Sequence, residues 1–195
     1  PAANGIGREE PGSVETDMGA ILGGRCARKK TAQKLKRVHR RAARTLVGGA
    51  GGPQSFTRSP GPEGNLYQSR RDKQMSMTAL STLAGNFARG GPFLAINPVL
   101  GGIDDEGTHV YSIDPAGGVM EDKYTVTGSG LTVAYGTLED RYEEDMSVEA
   151  AQQAAVASVE AAAERDTGSG NGVYLATVTE EGVDIQDYDL DEFDT

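Results

Sequence analysis

Apolar residues recur along the second half of the chain at spacings that separate helix from strand. From Ser76 to Arg89 the pattern sets Ala79, Leu80, Leu83 and Phe87 along one side of a helix, with Ser76 placed to cap its start. Phe93-Leu94-Ala95-Ile96 reads as a buried strand running on toward Leu100. Asp104-Asp105-Glu106-Gly107 reads as a turn, and His109 to Ile113 as the returning strand. Pro115-Ala116-Gly117-Gly118 turns the chain again, and alternation from Lys123 to Val126 predicts the third strand of an antiparallel meander. Thr127-Gly128-Ser129-Gly130 opens a helix reaching about Tyr142, with Leu131, Ala134, Leu138 and Tyr142 as its core face. Ser147 caps an alanine-dominated helix that runs to about Arg165, with Glu149 in the first turn, where free amides favour negative charge. So much alanine lets that helix lie flat against a neighbour. Val173 to Val178 is a strand, and Val183 to Ile185 another after a turn at Glu180–Gly182.

Helices grouped between strands that pair antiparallel predict a layered α+β domain. Two facing sheets covered by helices would bury both sheet faces and both helix stripes. The domain is expected to span residues 1–186, with 187–195 as an acidic, disordered tail. Upstream the pattern is poorer. Residues 25–44 form a basic run that fits a helix with Leu35, Val38 and Ala42 on one face. Residues 48–64, rich in glycine and carrying Pro60 and Pro62, read as loop.

Charge divides the chain. Residues 1–89 carry 16 Lys or Arg against 6 Asp or Glu, whereas residues 90–195 carry 3 against 23. The acidic half suits a protein hydrated in concentrated salt, or simply an acidic solvated surface. The basic run alone would be a nucleic-acid candidate, but no aromatic platform interleaves with it and the acidic half opposes a polyanion. A solvated or interface-facing basic patch is the better reading, so no nucleic-acid partner is expected. One cysteine excludes a disulfide framework, and two histidines seventy residues apart, with no ligand-like cluster, give no metal site. No apolar run reaches the roughly 20 residues that span a bilayer. A soluble, cytoplasmic protein without membrane partners is expected.

Two glycine-rich corners stand out: Thr127-Gly128-Ser129-Gly130, and Asp166 through Gly172, which follows the alanine-rich helix. Glycine allows close backbone approach there, while Asp166 and Ser169 bring a carboxylate and a hydroxyl together. By themselves such stretches are helix stops and tight turns. The second lacks the lysine and hydroxyl that end a phosphate-cradling loop.

Taken in order, Gly101-Gly102-Ile103-Asp104, Val110 to Gly118, Tyr124 to Gly130 and Glu164 to Gly172 resemble an archaeal proteasome beta subunit, from about Ser76 to Ile185. The acidic composition is similar to that of salt-loving members. The resemblance implies a four-layer αββα sandwich of two antiparallel sheets, the fold of hydrolases that use an amino-terminal nucleophile. It implies a threonine-type endopeptidase that needs no cofactor. Such subunits form seven-membered beta rings, enclosed with alpha-subunit rings, around a chamber that admits unfolded polypeptide. The terminal threonine hydroxyl attacks the peptide carbonyl, and the free α-amine, whose ordinary pKa is roughly 7.7–8.0, serves as base.

Matched onto this chain, Asp17 braces the catalytic lysine, which aligns with Lys34, and Gly48 supplies the oxyanion amide. Ser129, Asp166 and Ser169 orient the terminal amine and its water. Ala20, Ile21, Leu46 and Ala50 line an apolar specificity pocket. The first half departs from the family pattern. Pro1 stands where the resemblance places the threonine, followed by Ala2, Ala3 and Asn4. Gly19 replaces an arginine, Pro11-Gly12-Ser13 interrupts an expected strand, and Pro53, Pro60 and Pro62 fall in or after an expected helix. With no hydroxyl at residue 1, the chain as written is expected not to hydrolyse peptides. A non-catalytic structural subunit of the ring is the alternative.

Overall fold

A computed structural model describes residues 22–26, 35–48, 74–90, 96–144, 146–167 and 169–189. Its strands are β1 (Leu22–Cys26), β2 (Leu35–His39), β3 (Ala42–Gly48), β4 (Ile96–Asp104), β5 (Gly107–Ile113), β6 (Val119–Glu121), β7 (Ser169–Thr179) and β8 (Gly182–Asp189). The helices are α1 (Met77–Gly90), α2 (Leu131–Arg141) and α3 (Val148–Arg165). Five strands pair in the order β2-β3-β4-β5-β6 and three in the order β1-β7-β8, antiparallel throughout.

The sheets face each other through Leu35, Ala43, Val99, Ile103 and Val110 on one side and Ala176 and Val178 on the other. On the outer face of the larger sheet, Met77 and Leu80 of α1 pack with Val38, Ala42, Leu100 and Tyr111. Val156 of α3 closes on Val173 of β7 beyond the smaller sheet. Helix, sheet, sheet, helix is therefore the order of layers, the αββα arrangement that the resemblance implied.

Local chemistry explains the elements. Ser76 caps α1 by accepting the Ala79 amide at 3.3 Å, and Ser147 caps α3 by accepting the Ala150 amide at 3.2 Å. The alanine face of α3 buries Ala151, Ala154, Ala155 and Ala162, and α3 packs against both α2 and β7.

Several expectations need correction. The basic run is a hairpin of β2 and β3, not a helix. Leu35 faces the inter-sheet core, while Val38 and Ala42 face α1, because residues an odd number apart along a strand point to opposite faces. Burial of both faces of β2, with Ala42 following across the turn, gives an apolar spacing of three and four without a helix. Nor is the run uniformly solvated. Arg37 and Arg40 are exposed, but Arg44 is buried, and desolvation lowers its guanidinium to about 10, still a cation at neutral pH.

The third meander strand is Val119–Glu121 rather than Lys123–Val126. Asp122 captures the Lys123 amide at 2.9 Å with its own carboxylate, a local bond that competes with the ladder. Tyr124 then hydrogen-bonds Glu139, and Thr125 meets the Tyr135 hydroxyl at 3.1 Å, both on α2. The core face of α1 is Met77, Leu80, Ser81, Ala84, Gly85 and Ala88; Ala79 is exposed, and Leu83 and Phe87 lie on its half-buried flank. Small residues let the helix sit close to the sheet, which rotates the stripe away from the larger side chains. On α2, Ala134 and Leu138 are buried as expected, Leu131 is exposed and Tyr142 is half-buried. Strand β4 runs past Leu100 to Asp104, and β8 continues to Asp189, three residues into the expected tail.

Candidate functional site

Ser129 meets Asp166, 37 residues further along the chain, and the nearby Ser169 where α2 begins, α3 ends and β7 starts. The chain approaches α2 through Gly128, whose φ of 122° is in the region that favours glycine. Gly130 follows as the N-cap residue of α2. Asp166 is the C-cap residue of α3, held by its amide donating to the Ala162 carbonyl at 2.8 Å. Ser169 opens β7, and its amide donates to the Asp166 carbonyl at 3.1 Å.

The Ser129 hydroxyl donates to Asp166 Oδ2 at 2.5 Å, and the Ser169 hydroxyl donates to the same oxygen at 2.7 Å. Such short O–H···O⁻ distances are those of charge-assisted bonds. Chemically the arrangement is directional. One carboxylate oxygen fixes both hydroxyl protons, so each serine oxygen is left with its lone pairs to offer. A pair of acceptors of this kind suits an amine or a water, which bring N–H or O–H donors.

Of the other residues singled out in the sequence, Gly48 ends β3, in the larger sheet, where it pairs with Ile96. Leu46 lies on the same strand opposite Pro98. Pro1, Asp17, Ala20, Ile21, Lys34 and Ala50 lie outside the described residues.

A second polar cluster escaped the sequence reading, which saw no partners for either histidine. His109 Nδ1 lies 2.6 Å from Glu121 Oε1 and Nε2 lies 3.1 Å from Asp104 Oδ1. Asp104 also accepts the Met77 amide at 2.6 Å and the Glu106 amide at 2.8 Å. The His109 ring stacks on Tyr111, whose hydroxyl is 3.3 Å from Thr78 Oγ1. Burial opposes charge on the His109 ring, but the hydrogen bonds to Glu121 and Asp104 and their negative charges raise its pKa above the ordinary value. Burial likewise opposes charge on Asp104, yet the Met77 and Glu106 amides and His109 hold its carboxyl below the ordinary value. The available signal was the two-residue alternation of His109, Tyr111 and Ile113, with Asp104 just across the turn. Among the described residues, no group of three or more His, Cys, Asp or Glu side chains gathers to hold a metal ion. No described helix is long and apolar enough to cross a membrane.

Two antiparallel sheets between helices, with a serine–aspartate–serine cluster at one end of the smaller sheet, define the architecture of the amino-terminal-nucleophile hydrolases. Comparison with known proteins narrows this. A family model described as proteasome subunit matches residues 13–178. Proteasome subunit beta 1 of Haloarcula marismortui is 66% identical over 188 residues, covering 96% of this chain and 78% of that protein. A proteasome subunit beta of Natronomonas pharaonis is 62% identical, covering 96% and 79%, and one of Halorhabdus utahensis is 59% identical, covering 95% and 79%. The chain belongs to the archaeal proteasome beta subunit family.

Proposed function

We propose that the Ser129–Asp166–Ser169 cluster is the amine-orienting part of a threonine-type endopeptidase site, and that the chain works as a beta subunit of a proteasome core acting on unfolded polypeptide. The supporting observation is the pair of hydroxyls that donate to one Asp166 oxygen. Their lone pairs accept from the neutral terminal amine or its water, which fixes the amine beside the hydroxyl it must deprotonate. In this reading the threonine oxygen attacks the scissile carbonyl as its proton passes to the amine. The Gly48 amide holds the oxyanion, the proton moves on to the leaving amine, and water then hydrolyses the acyl ester. Lys34, braced by Asp17, keeps the amine unprotonated by charge repulsion. Ala20, Ile21, Leu46 and Ala50 favour an apolar side chain before the cut.

Pro1 stands at the position that the resemblance gives to the threonine, and its side chain carries no hydroxyl. That observation favours a second reading, a ring subunit that assembles with other beta subunits and an alpha ring but does not turn over peptide.

The test uses assembled particles and a hydrophobic fluorogenic peptide. The Pro1 chain is expected to show no cleavage, and a Pro1→Thr chain to gain cleavage that a threonine-directed covalent inhibitor abolishes. Inhibitor-sensitive cleavage by the Pro1 chain would overturn the inactive reading. A silent but assembled Pro1→Thr ring would overturn the peptidase reading in favour of the structural one.

A further inference from the structure

We propose that Gly130 is a positioning residue, whose missing side chain seats the start of α2 against Ala162 and thereby sets the Ser129–Asp166 hydrogen bond. The usual reasons for a glycine do not apply at this position. Its φ of −84° and ψ of 8° are open to any residue. It is the N-cap of α2, where Ser, Thr, Asp or Asn would supply a side-chain acceptor, and α2 has no side-chain cap. Backbone conformation therefore does not demand glycine, and helix capping would be served better by a polar residue.

Space is what demands it. A Cβ on Gly130 would lie 2.8 Å from the Ala162 methyl, 3.4 Å from Asp166 Cβ and 3.5 Å from Ser169 Oγ. Ala162 is buried, and its carbonyl accepts the Asp166 amide, so the methyl and the carboxylate ride on the same turn of α3. Gly130 follows Ser129 directly. The three residues of the cluster are thus gauged by one contact between the beginning of α2 and the end of α3. A methyl at residue 130 would have to move away from Ala162 by roughly 0.7 Å or more to reach ordinary contact. The Ser129 peptide would move with it, while Asp166 and Ser169 stay with α3 and β7. A bond of 2.5 Å has little slack for such a shift.

This inference rests on the reading of the cluster as orienting the terminal amine, and the test separates the two. Gly130→Ala, Ala162→Gly and the double variant are made in the Pro1→Thr chain and assembled. Each is crystallised and assayed with the fluorogenic peptide. Gly130→Ala is expected to open the Ser129–Asp166 distance beyond about 3.2 Å and to lower kcat about tenfold with KM within about twofold. The double variant, which removes the opposing methyl, is expected to recover the short bond and the kcat of Ala162→Gly alone. A merely structural glycine would lower stability but leave the bond and kcat in place, and rescue would not depend on residue 162. A short bond in Gly130→Ala, or an open one in the double variant, would overturn the proposal. If Gly130→Ala does not fold, recovery of folded protein with the short bond in the double variant supports it, and failure of the double counts against it. If the Pro1→Thr parent is itself silent, the peptidase reading fails, while the crystallographic distances still decide the role of Gly130.

Discussion

Asp166 joins three segments through one side-chain oxygen and its own backbone. Its Oδ2 accepts from Ser129 and Ser169, its amide donates to Ala162, and its carbonyl accepts the Ser169 amide. Replacing it with asparagine keeps the shape but removes the charge that shortens both bonds. In an active Pro1→Thr background, Asp166→Asn is expected to lower kcat about 10²-fold or more while thermal stability and assembly hold. Unchanged kcat in a correctly assembled ring would remove Asp166 from the site. The cluster was legible because Ser129 and Asp166 stand in motifs that resemble the family. Of the Gly130–Ala162 contact only the glycine was legible, as a place for close approach; its partner thirty-two positions on was not, since local sequence does not say what comes close.

Among the elements, capped helices and tight turns were legible, because their signals are local. Ser76, Ser147 and the turn at Asp105–Glu106 each act within a few residues. The β2–β3 hairpin and the place of β6 were not: a strand buried on both faces mimics the apolar spacing of a helix, and the side-chain bond from Asp122 leaves no mark on hydrophobic spacing. At this scale the His109 cluster ties β5 to β6 and to the start of α1, since Asp104 also holds the Met77 amide. The groups facing the ring are Asp104, Glu121 and Tyr111.

The raised His109 pKa means its contribution is fully present below the unfolded value of roughly 6.5 and is lost as pH rises through the folded value. The lowered Asp104 pKa means its contribution is present above roughly 3.9 and is lost as pH falls through the folded value. The stability lost in His109→Gln should therefore be greatest near pH 5, about 1–2 kcal/mol, and shrink toward pH 9. Denaturant melts of both proteins at these two pH values would check it; a pH-independent difference would contradict it. The packing of α1 gives a simpler expectation. Leu80 is fully buried against the larger sheet, and Leu80→Ala should cost about 2–5 kcal/mol by the same melts.

For the whole molecule, charge is the governing feature. The chain carries a net charge of −10, and residues 90–195 hold 23 acidic against 3 basic side chains. Like charges at this density repel within the compact state, and salt screens them over roughly 10 Å at 0.1 M and about 3 Å at 1 M. The melting temperature is therefore expected to rise between 0.1 M and 2 M KCl, and a flat or falling profile by scanning calorimetry would contradict this. The layered fold was legible at this scale because each helix carried one apolar stripe and the strands offered two faces to cover. Arg44 runs against this pattern: it is buried although desolvation opposes its charge and lowers its guanidinium to about 10.

The central proposal is that Ser129, Asp166 and Ser169 serve a threonine peptidase site whose nucleophile position holds proline in this sequence. Intact-mass analysis of assembled Pro1 and Pro1→Thr particles, after incubation with a threonine-directed covalent inhibitor, tests it most directly. The account predicts one inhibitor adduct per Pro1→Thr chain, lost again in Asp166→Asn, and no adduct on the Pro1 chain. An adduct on the Pro1 chain, or none on a fully assembled Pro1→Thr ring, would contradict it.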